Sequence, residues 1–232
     1  MLIVHIVLAA LLGGLLSLDR VLVQTMVSRP VVVGPVVGLA LGNPYAGLQI
    51  GAILELFWID RLPIGIYIPP NDSLAAVAAT SAAAWMGRRP DGVAPEMIAL
   101  AVLLAVPLGM IARIIDVRIV TANNRLSDQA LEDAKKLNWR AVERKTYLGL
   151  ARVLIFYLVF LLAAQALLIP LTGWLYPKLP APFLQTLTLV YYFLPVLGIA
   201  VALSTLKMRG AVPVFCAGFL AAAVALEFFH VW

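Results

Sequence analysis

The sequence contains few of the residues that build metal centres and cofactor sites. It has one cysteine, Cys216, and two histidines, His5 and His230, near opposite ends of the 232-residue chain. A single cysteine excludes an internal disulfide, and these three residues form no metal-ligand pattern. Phosphate-binding loops of the Walker and G-x-G-x-x-G types are also missing. We therefore predict neither a metal site nor a bound cofactor.

Charged residues are scarce as well. They make up 12% of the chain, against 63% hydrophobic residues, and the mean hydropathy is +0.99. These values are typical of a protein that crosses a membrane several times. Nine of the seventeen lysines and arginines lie between Arg113 and Arg152. A nucleic-acid surface would need a broader basic face, so we predict no nucleic-acid partner and interpret this region as a cytoplasmic loop.

Long hydrophobic runs predict an all-α integral membrane protein with several transmembrane helices. The first run lacks a basic n-region and a good cleavage site, so we interpret it as a retained membrane segment. The polar stretch at 116–145 is interpreted as one or two amphipathic helices lying near the lipid headgroups. No soluble domain separates the runs, so residues 1–232 form one membrane domain. The predicted spans are Leu2–Leu18, Met97–Ile115, Tyr147–Leu171, Gln185–Leu206 and Gly210–Phe229.

Prolines and polar residues interrupt the hydrophobic pattern in the first third of the chain. Val21–Leu41 contains two prolines, and Leu62–Pro70 is bounded by prolines and too short to span a bilayer. Interrupted backbone is not tolerated where it faces lipid. We therefore predict re-entrant hairpins at these two segments, covered by other protein.

Small residues recur every four positions around the same stretch. Gly34, Gly38 and Gly42 have this spacing, and Gly47 and Gly51 repeat it. Such a stripe lets helices approach closely in lipid. We predict that all five glycines lie at a helix contact. The next step on the helix that carries Gly47 and Gly51 is an acidic residue, which we expect to point into packed protein because charge facing lipid is costly.

That acidic residue, Glu55, is the strongest candidate for binding chemistry. It could accept hydrogen bonds from the hydroxyl groups of a ligand, or be a structural carboxylate paired with Arg29, and the two roles can coexist. Asn71 and Asp72 follow a proline pair, where helix capping is the simpler interpretation. Gln24 could line a polar cavity, although an isolated glutamine in a membrane helix is more often a contact between helices.

Several short motifs carry a family resemblance. They are Ser28-Arg29-Pro30, Gly34-Pro35 with Gly38, the run Gly47–Gly51–Leu54–Glu55, and Pro63-Ile64-Gly65 followed by Pro69-Pro70. In this order and spacing the chain resembles the membrane subunit IIC of the mannose–sorbose family of the bacterial sugar phosphotransferase system. The similarity runs from about Gly14 to about Gly218.

The resemblance implies a multi-pass subunit of the bacterial inner membrane that moves a hexose-like sugar by an elevator-type motion. It implies a hetero-oligomer with a IID-type membrane subunit, and soluble IIA and IIB components that carry the phosphoryl group, so that this chain performs no catalysis itself. It also implies a sugar site formed by the following residues: Gln24, Arg29, Glu55, Asn71 and Asp72.

One departure from the family pattern keeps other functions open. The family usually has Asp directly after the proline pair, whereas this chain has Asn71 there and Asp72 one position later. An amide can bind hydroxyls but supplies no charge. The alternatives are a transporter that does not phosphorylate its sugar, and a degenerate family member that is a membrane scaffold or receptor without transport.

Overall fold

The helices of the computed structural model follow the hydrophobic pattern of the sequence. The structure describes residues 2–61, 65, 67–88, 92–205, 213–218 and 220–221, and its regular elements in these ranges are helical. The prediction of an all-α membrane protein is therefore confirmed. The α-helices are α1 (Leu2–Ser17), α2 (Pro30–Ala40), α3 (Pro44–Phe57), α4 (Asp72–Met86), α5 (Pro95–Lys135), α6 (Trp139–Leu175) and α7 (Ala181–Thr205).

Within the described residues, four helical segments are long and apolar enough to cross a membrane. They are Leu2–Arg20, Pro95–Lys135, Trp139–Lys178 and Ala181–Thr205, and they contain the first four predicted spans almost entirely. The fifth, at Gly210–Phe229, lies largely outside the described residues. Helix α5 continues through Pro107 and α6 through Pro170, so neither proline ends its helix.

The polar region at 116–145 differs from the expectation of helices lying on the membrane surface. It is the continuation of two spans, because α5 has 41 residues and α6 has 37. At 1.5 Å per residue these helices are about 62 and 56 Å long, roughly twice the thickness of a bilayer core. No proline or glycine interrupts residues 116–135, so α5 runs on to a turn where Leu137 has a φ of 56°. The two helices therefore form one hairpin that extends beyond the membrane.

Helix α4 is the central element of the fold. Of its 15 residues, 13 are buried, and most of them are alanine, serine or threonine. Their small side chains allow close approach of the surrounding helices α1, α2, α3, α5 and α6. With a length of about 22 Å, α4 cannot cross a bilayer, and protein surrounds it instead. Its N-terminus therefore lies inside the molecule.

Helices α2 and α3 form a tight hairpin through glycine contacts. A Cβ built on Gly34 would lie 2.2 Å from the carbonyl oxygen of Gly47, and one on Gly51 would lie 2.3 Å from that of Pro30. A Cβ on Gly38 would lie 2.6 Å from the Asn43 carbonyl oxygen. The two backbones therefore touch directly, which only glycine permits.

The fifth glycine of the stripe has another role. Gly42 lies in the turn between the two helices with a φ of 84°, and no atom lies within 4 Å of its added Cβ. It permits the turn and makes no helix contact, contrary to the expectation from its spacing. Helices α2 and α3 have 11 and 14 residues and are too short to span a bilayer. The re-entrant hairpin at Val21–Leu41, which contains α2, remains a prediction. The second predicted re-entrant element, Leu62–Pro70, lies partly outside the described residues.

Candidate functional site

Four of the five candidate residues line one cavity of about 310 Å³. Gln24, Arg29, Glu55 and Asp72 face this space, whereas Asn71 is fully buried beside it. The cavity lies between the loop that follows α1, the end of α3 and the start of α4. Its volume is at the lower end of the range of small-molecule sites, which suits a ligand the size of a monosaccharide.

The glycine contacts of the hairpin place Arg29 beside Glu55. Gly51 packs against Pro30. Arg29, which precedes Pro30, therefore lies next to Glu55, which follows Gly51 by one helical turn. Arg29 has extended backbone, as the residue before a proline prefers, and its Nη1 donates a hydrogen bond to Glu55 Oε1. The other carboxylate oxygen, Oε2, is buried without a hydrogen-bond partner in the described structure.

Asp19 organises the loop that forms one side of the cavity. Its Oδ1 accepts hydrogen bonds from the Thr25 backbone N–H at 2.9 Å and from the Thr25 hydroxyl at 2.7 Å. Its Oδ2 accepts from Ser28. Gln24 has a φ of 59° and its Nε2 donates to the Arg20 carbonyl oxygen at 3.3 Å. Residues 21–29 are thus a folded loop without a helix.

A chain of hydrogen bonds joins Asn71 and Asp72 to two charged residues. Arg20 Nη1 donates to Asp72 Oδ1 at 2.6 Å and to Asn71 Oδ1 at 3.3 Å. The same Asn71 oxygen accepts from the backbone N–H of Leu74 and so caps α4, while Asn71 Nδ2 donates to Asp116 Oδ2 at 2.9 Å. The amide of Asn71 therefore accepts a hydrogen bond from the cation Arg20 and donates one to the anion Asp116, and we call this its adaptor role. Its part in sugar binding remains a prediction.

The charges around the cavity are balanced. Three arginines and three carboxylates among the described residues line it, which gives a formal sum of zero. A charged ligand would therefore meet no excess of opposite charge, whereas a neutral ligand with many hydroxyls would find both donors and acceptors. The six residues are Arg20, Arg29, Arg61, Asp19, Glu55 and Asp72.

Sequence reasoning missed part of this arrangement. The candidate residues did not include Asp19, Arg20, Arg61 or Asp116. One signal was available for two of these residues. Asp19 and Arg20 stand at the end of a hydrophobic run, just before the polar interrupted segment. Nothing in the sequence placed Asp116, which is 96 positions from Arg20, because only the packing of α5 against α4 brings it to Asn71.

The chain is similar to several sugar-system components. The family profile described as "PTS system sorbose-specific iic component" matches residues 3–230. The sequence is 25% identical over 212 residues to the PTS system sorbose-specific EIIC component of Klebsiella pneumoniae, covering 88% of this chain and 74% of that protein. It is 40% identical over 67 residues to the putative N-acetylgalactosamine permease IIC component 2 of Escherichia coli (strain K12), covering 29% of this chain and 50% of that protein.

A third relative is the PTS system sorbose-specific EIIC component of Lacticaseibacillus casei. It is 24% identical over 139 residues, which cover 60% of this chain and 47% of that protein. The chain thus spans about half the length of two of these three curated relatives.

Two solved structures have a similar fold. One, described as a membrane protein, superposes with a TM-score of 0.71 at 21% identity over 98% of this chain and 92% of the other. The second is the cryo-EM structure of the mannose transporter ManYZ in complex with microcin E492 (MceA), with a TM-score of 0.59 at 20% identity over 99% and 92% of the two chains. At this identity they establish the likeness of fold alone.

Proposed function

Since this chain belongs to the family of sorbose-specific IIC components of the phosphotransferase system, we propose that it is the membrane subunit that translocates the sugar. The substrate is a hexose-like sugar, taken up in neutral form and phosphorylated by partner subunits. This chain performs no chemistry on it. Its four long apolar helices make it a multi-pass membrane protein, which we place in the bacterial inner membrane.

The single observation that supports this proposal best is the unpartnered oxygen of Glu55 in a charge-balanced cavity. Arg29 holds one oxygen of this carboxylate and leaves Oε2 buried without a partner among the residues that the structure describes. A buried carboxylate oxygen without a hydrogen bond is unfavourable, and a sugar hydroxyl would satisfy it. The structural and binding interpretations of Glu55 are thus compatible, since each oxygen has its own role.

The partners follow from the same proposal. We expect a IID-type membrane subunit to cover the short helices α2 and α3 and the exposed side of α7, where Tyr192 and Phe193 are each 61% exposed. Soluble IIA and IIB components supply the phosphoryl group. The two re-entrant segments and the elevator-type motion belong to this proposal as well.

Glu55→Gln tests the sugar-binding role. The change keeps the shape of the side chain and removes its charge, so a charge-assisted hydrogen bond of about 1.5–3 kcal/mol is lost. We expect sugar affinity to fall roughly 10- to 150-fold in an assembled complex of normal size. Calorimetry with mannose, sorbose and N-acetylgalactosamine on material selected by gel filtration measures it, and Glu132→Gln, on the distant hairpin, is the control.

Three results would contradict the proposal. Poor assembly of the Glu55→Gln complex with normal affinity in the surviving fraction would leave Glu55 a purely structural carboxylate. Uptake of unmodified sugar without stoichiometric sugar phosphate, in vesicles that contain all the partner components, would make the protein a transporter independent of phosphorylation. A complex that assembles fully and binds none of the three sugars would favour the scaffold or receptor alternative.

A further inference from the structure

A second polar cavity shares a wall with the candidate sugar site. It has a volume of about 440 Å³ and lies between the loop after α1, the segment that precedes α4, and the helices α5 and α6. Both cavities are lined by Arg20, Gln24 and Pro69. Arg20 donates to Asp72 in the first cavity and, through Asn71, is linked to Asp116 in the second.

The lining of the second cavity suits the same neutral ligand. Among the described residues, its charged side chains are Arg20 and Asp116, which balance each other. Asp116 is only 8% exposed, and Tyr157 lines the same cavity. Asn124 and Ser127 add amide and hydroxyl groups from about two and three turns further along α5. A polyhydroxylated molecule would find donors and acceptors here without an excess of either charge.

A third cavity continues this series toward the polar end of the α5–α6 hairpin. It has a volume of about 450 Å³, shares Asn123, Ser127 and Val153 with the second, and reaches Lys145. Arg152 holds Asn123 in place through a hydrogen bond of 3.1 Å to its Oδ1. The second and third cavities thus follow one another along α5 toward the part of the hairpin that extends beyond the membrane, and the second adjoins the Glu55 site through their shared residues.

We propose that the second cavity is a transfer site for the sugar, in series with the Glu55 site and separated from it by Arg20. The sugar leaves the first site past Arg20, is held by Asp116 and the neighbouring amides, and continues along α5 toward the polar hairpin. This inference rests on the proposed function and adds a second binding site to it.

Bulky substitutions inside the second cavity test the proposal. Ser127 is exposed to the cavity and Val120 is 46% exposed, so Ser127→Trp and Val120→Trp fill the space without displacing buried residues. Thr121→Trp places the same side chain on the exposed surface of α5 outside all three cavities and is the matched control. The measurements are equilibrium binding and vesicle uptake of radiolabelled mannose, sorbose and N-acetylgalactosamine by the complete complex.

We expect both cavity variants to keep the parental dissociation constant of the Glu55 site within about twofold, and to lose at least tenfold in uptake rate. The control should retain both. Normal uptake by both cavity variants would overturn the transfer site. Loss of binding in a correctly assembled cavity variant would also overturn it, because the two spaces would then be one site. Absence of sugar binding by the unmodified complex would instead overturn the proposed function, and this inference with it.

Discussion

Replacing Asn71 by aspartate tests whether the buried amide is needed as an adaptor between Arg20 and Asp116. Asn71 is fully buried, and its Nδ2 donates to Asp116 Oδ2 at 2.9 Å. An ionised carboxylate at this position cannot donate, so a hydrogen bond to a charged group of about 1.5–3 kcal/mol is lost. Two carboxylate oxygens would also come into contact, which Arg20, at 3.3 Å from the other side-chain oxygen, offsets only in part.

The defect of Asn71→Asp should depend on pH. A protonated carboxyl can donate to Asp116 and replace the lost amide bond, so the folded protein retains the proton and the pKa of the new carboxyl is raised. The stability that this proton gives to the Asn71→Asp variant is fully present below about pH 3.9, the pKa of an aspartate in the unfolded chain. It is lost as the pH rises from there toward the higher pKa of the same carboxyl in the folded protein. The loss amounts to about 1.4 kcal/mol per pH unit in that window and then levels off. Arg20 and Asp72 are the other charged side chains near the new carboxyl at position 71, and the uncharged phenol of Tyr157 lies near it as well.

Thermal unfolding of the detergent-solubilised complex between pH 4 and pH 8 measures this effect. We expect Asn71→Asp to melt close to the parent at pH 4 and clearly below it at pH 8. The exchanged pair Asn71→Asp with Asp116→Asn is the control, because it restores one donor and one acceptor and should recover most of the loss. If Asn71→Asp melts with the parent at pH 8, or if the exchanged pair recovers nothing, the adaptor role is wrong.

Two further predictions concern the hairpin glycines and the topology. Gly47→Ala should reduce the yield of assembled complex severely, because the new Cβ would lie 2.2 Å from the carbonyl oxygen of Gly34. Gly149→Ala is the control and should be tolerated, because the nearest group to its Cβ is Asn123 at 3.5 Å. Equal yields of the two variants in gel filtration would contradict the close contact. A cysteine placed at Ser127, with Cys216 replaced, should react only with reagents that enter the cell, because the basic excess predicts a cytoplasmic hairpin. Labelling by an impermeant reagent in intact cells would reverse that orientation.

The sequence was sufficient for the long helices and for the glycine hairpin. Hydrophobic runs of at least 17 residues locate spans directly, and glycines at a spacing of four indicate a close contact. It was insufficient for the polar stretch at 116–145. Its amphipathic pattern fits a helix on the membrane surface as well as one that continues a span, and only the absence of proline and glycine before Lys135 distinguishes the two.

The candidate site was predictable only as far as local motifs reach. Glu55 follows the glycine stripe of α3 by one turn, and Asn71 follows a proline pair, so both were identified from their neighbours. Arg20 lacked such a context, although it donates to Asp72 and Asn71. Its partners are more than 50 positions away, and contacts at that separation depend on how α1, α4 and α5 pack. Local periodicity contains no information about that packing.

The ion pairs divide the cavity wall into two parts. Arg29 and Glu55 both belong to the α2–α3 hairpin, whose backbones touch through glycine, so this pair moves with the hairpin. Arg20 and Asp72 instead join the end of α1 to the start of α4, and Asn71 extends this part to α5.

Residues 21–28 connect the two parts of the wall, together with the hydrogen bond from the Ser73 hydroxyl to the Ser28 carbonyl oxygen. This connection is a loop in which Gln24 and Met26 have positive φ, and Asp19 maintains its shape through Thr25. A rearrangement of the cavity that preserves both ion pairs must therefore be accommodated in this loop. Because Gln24 lines both the first and the second cavity, the same rearrangement would change the wall between them.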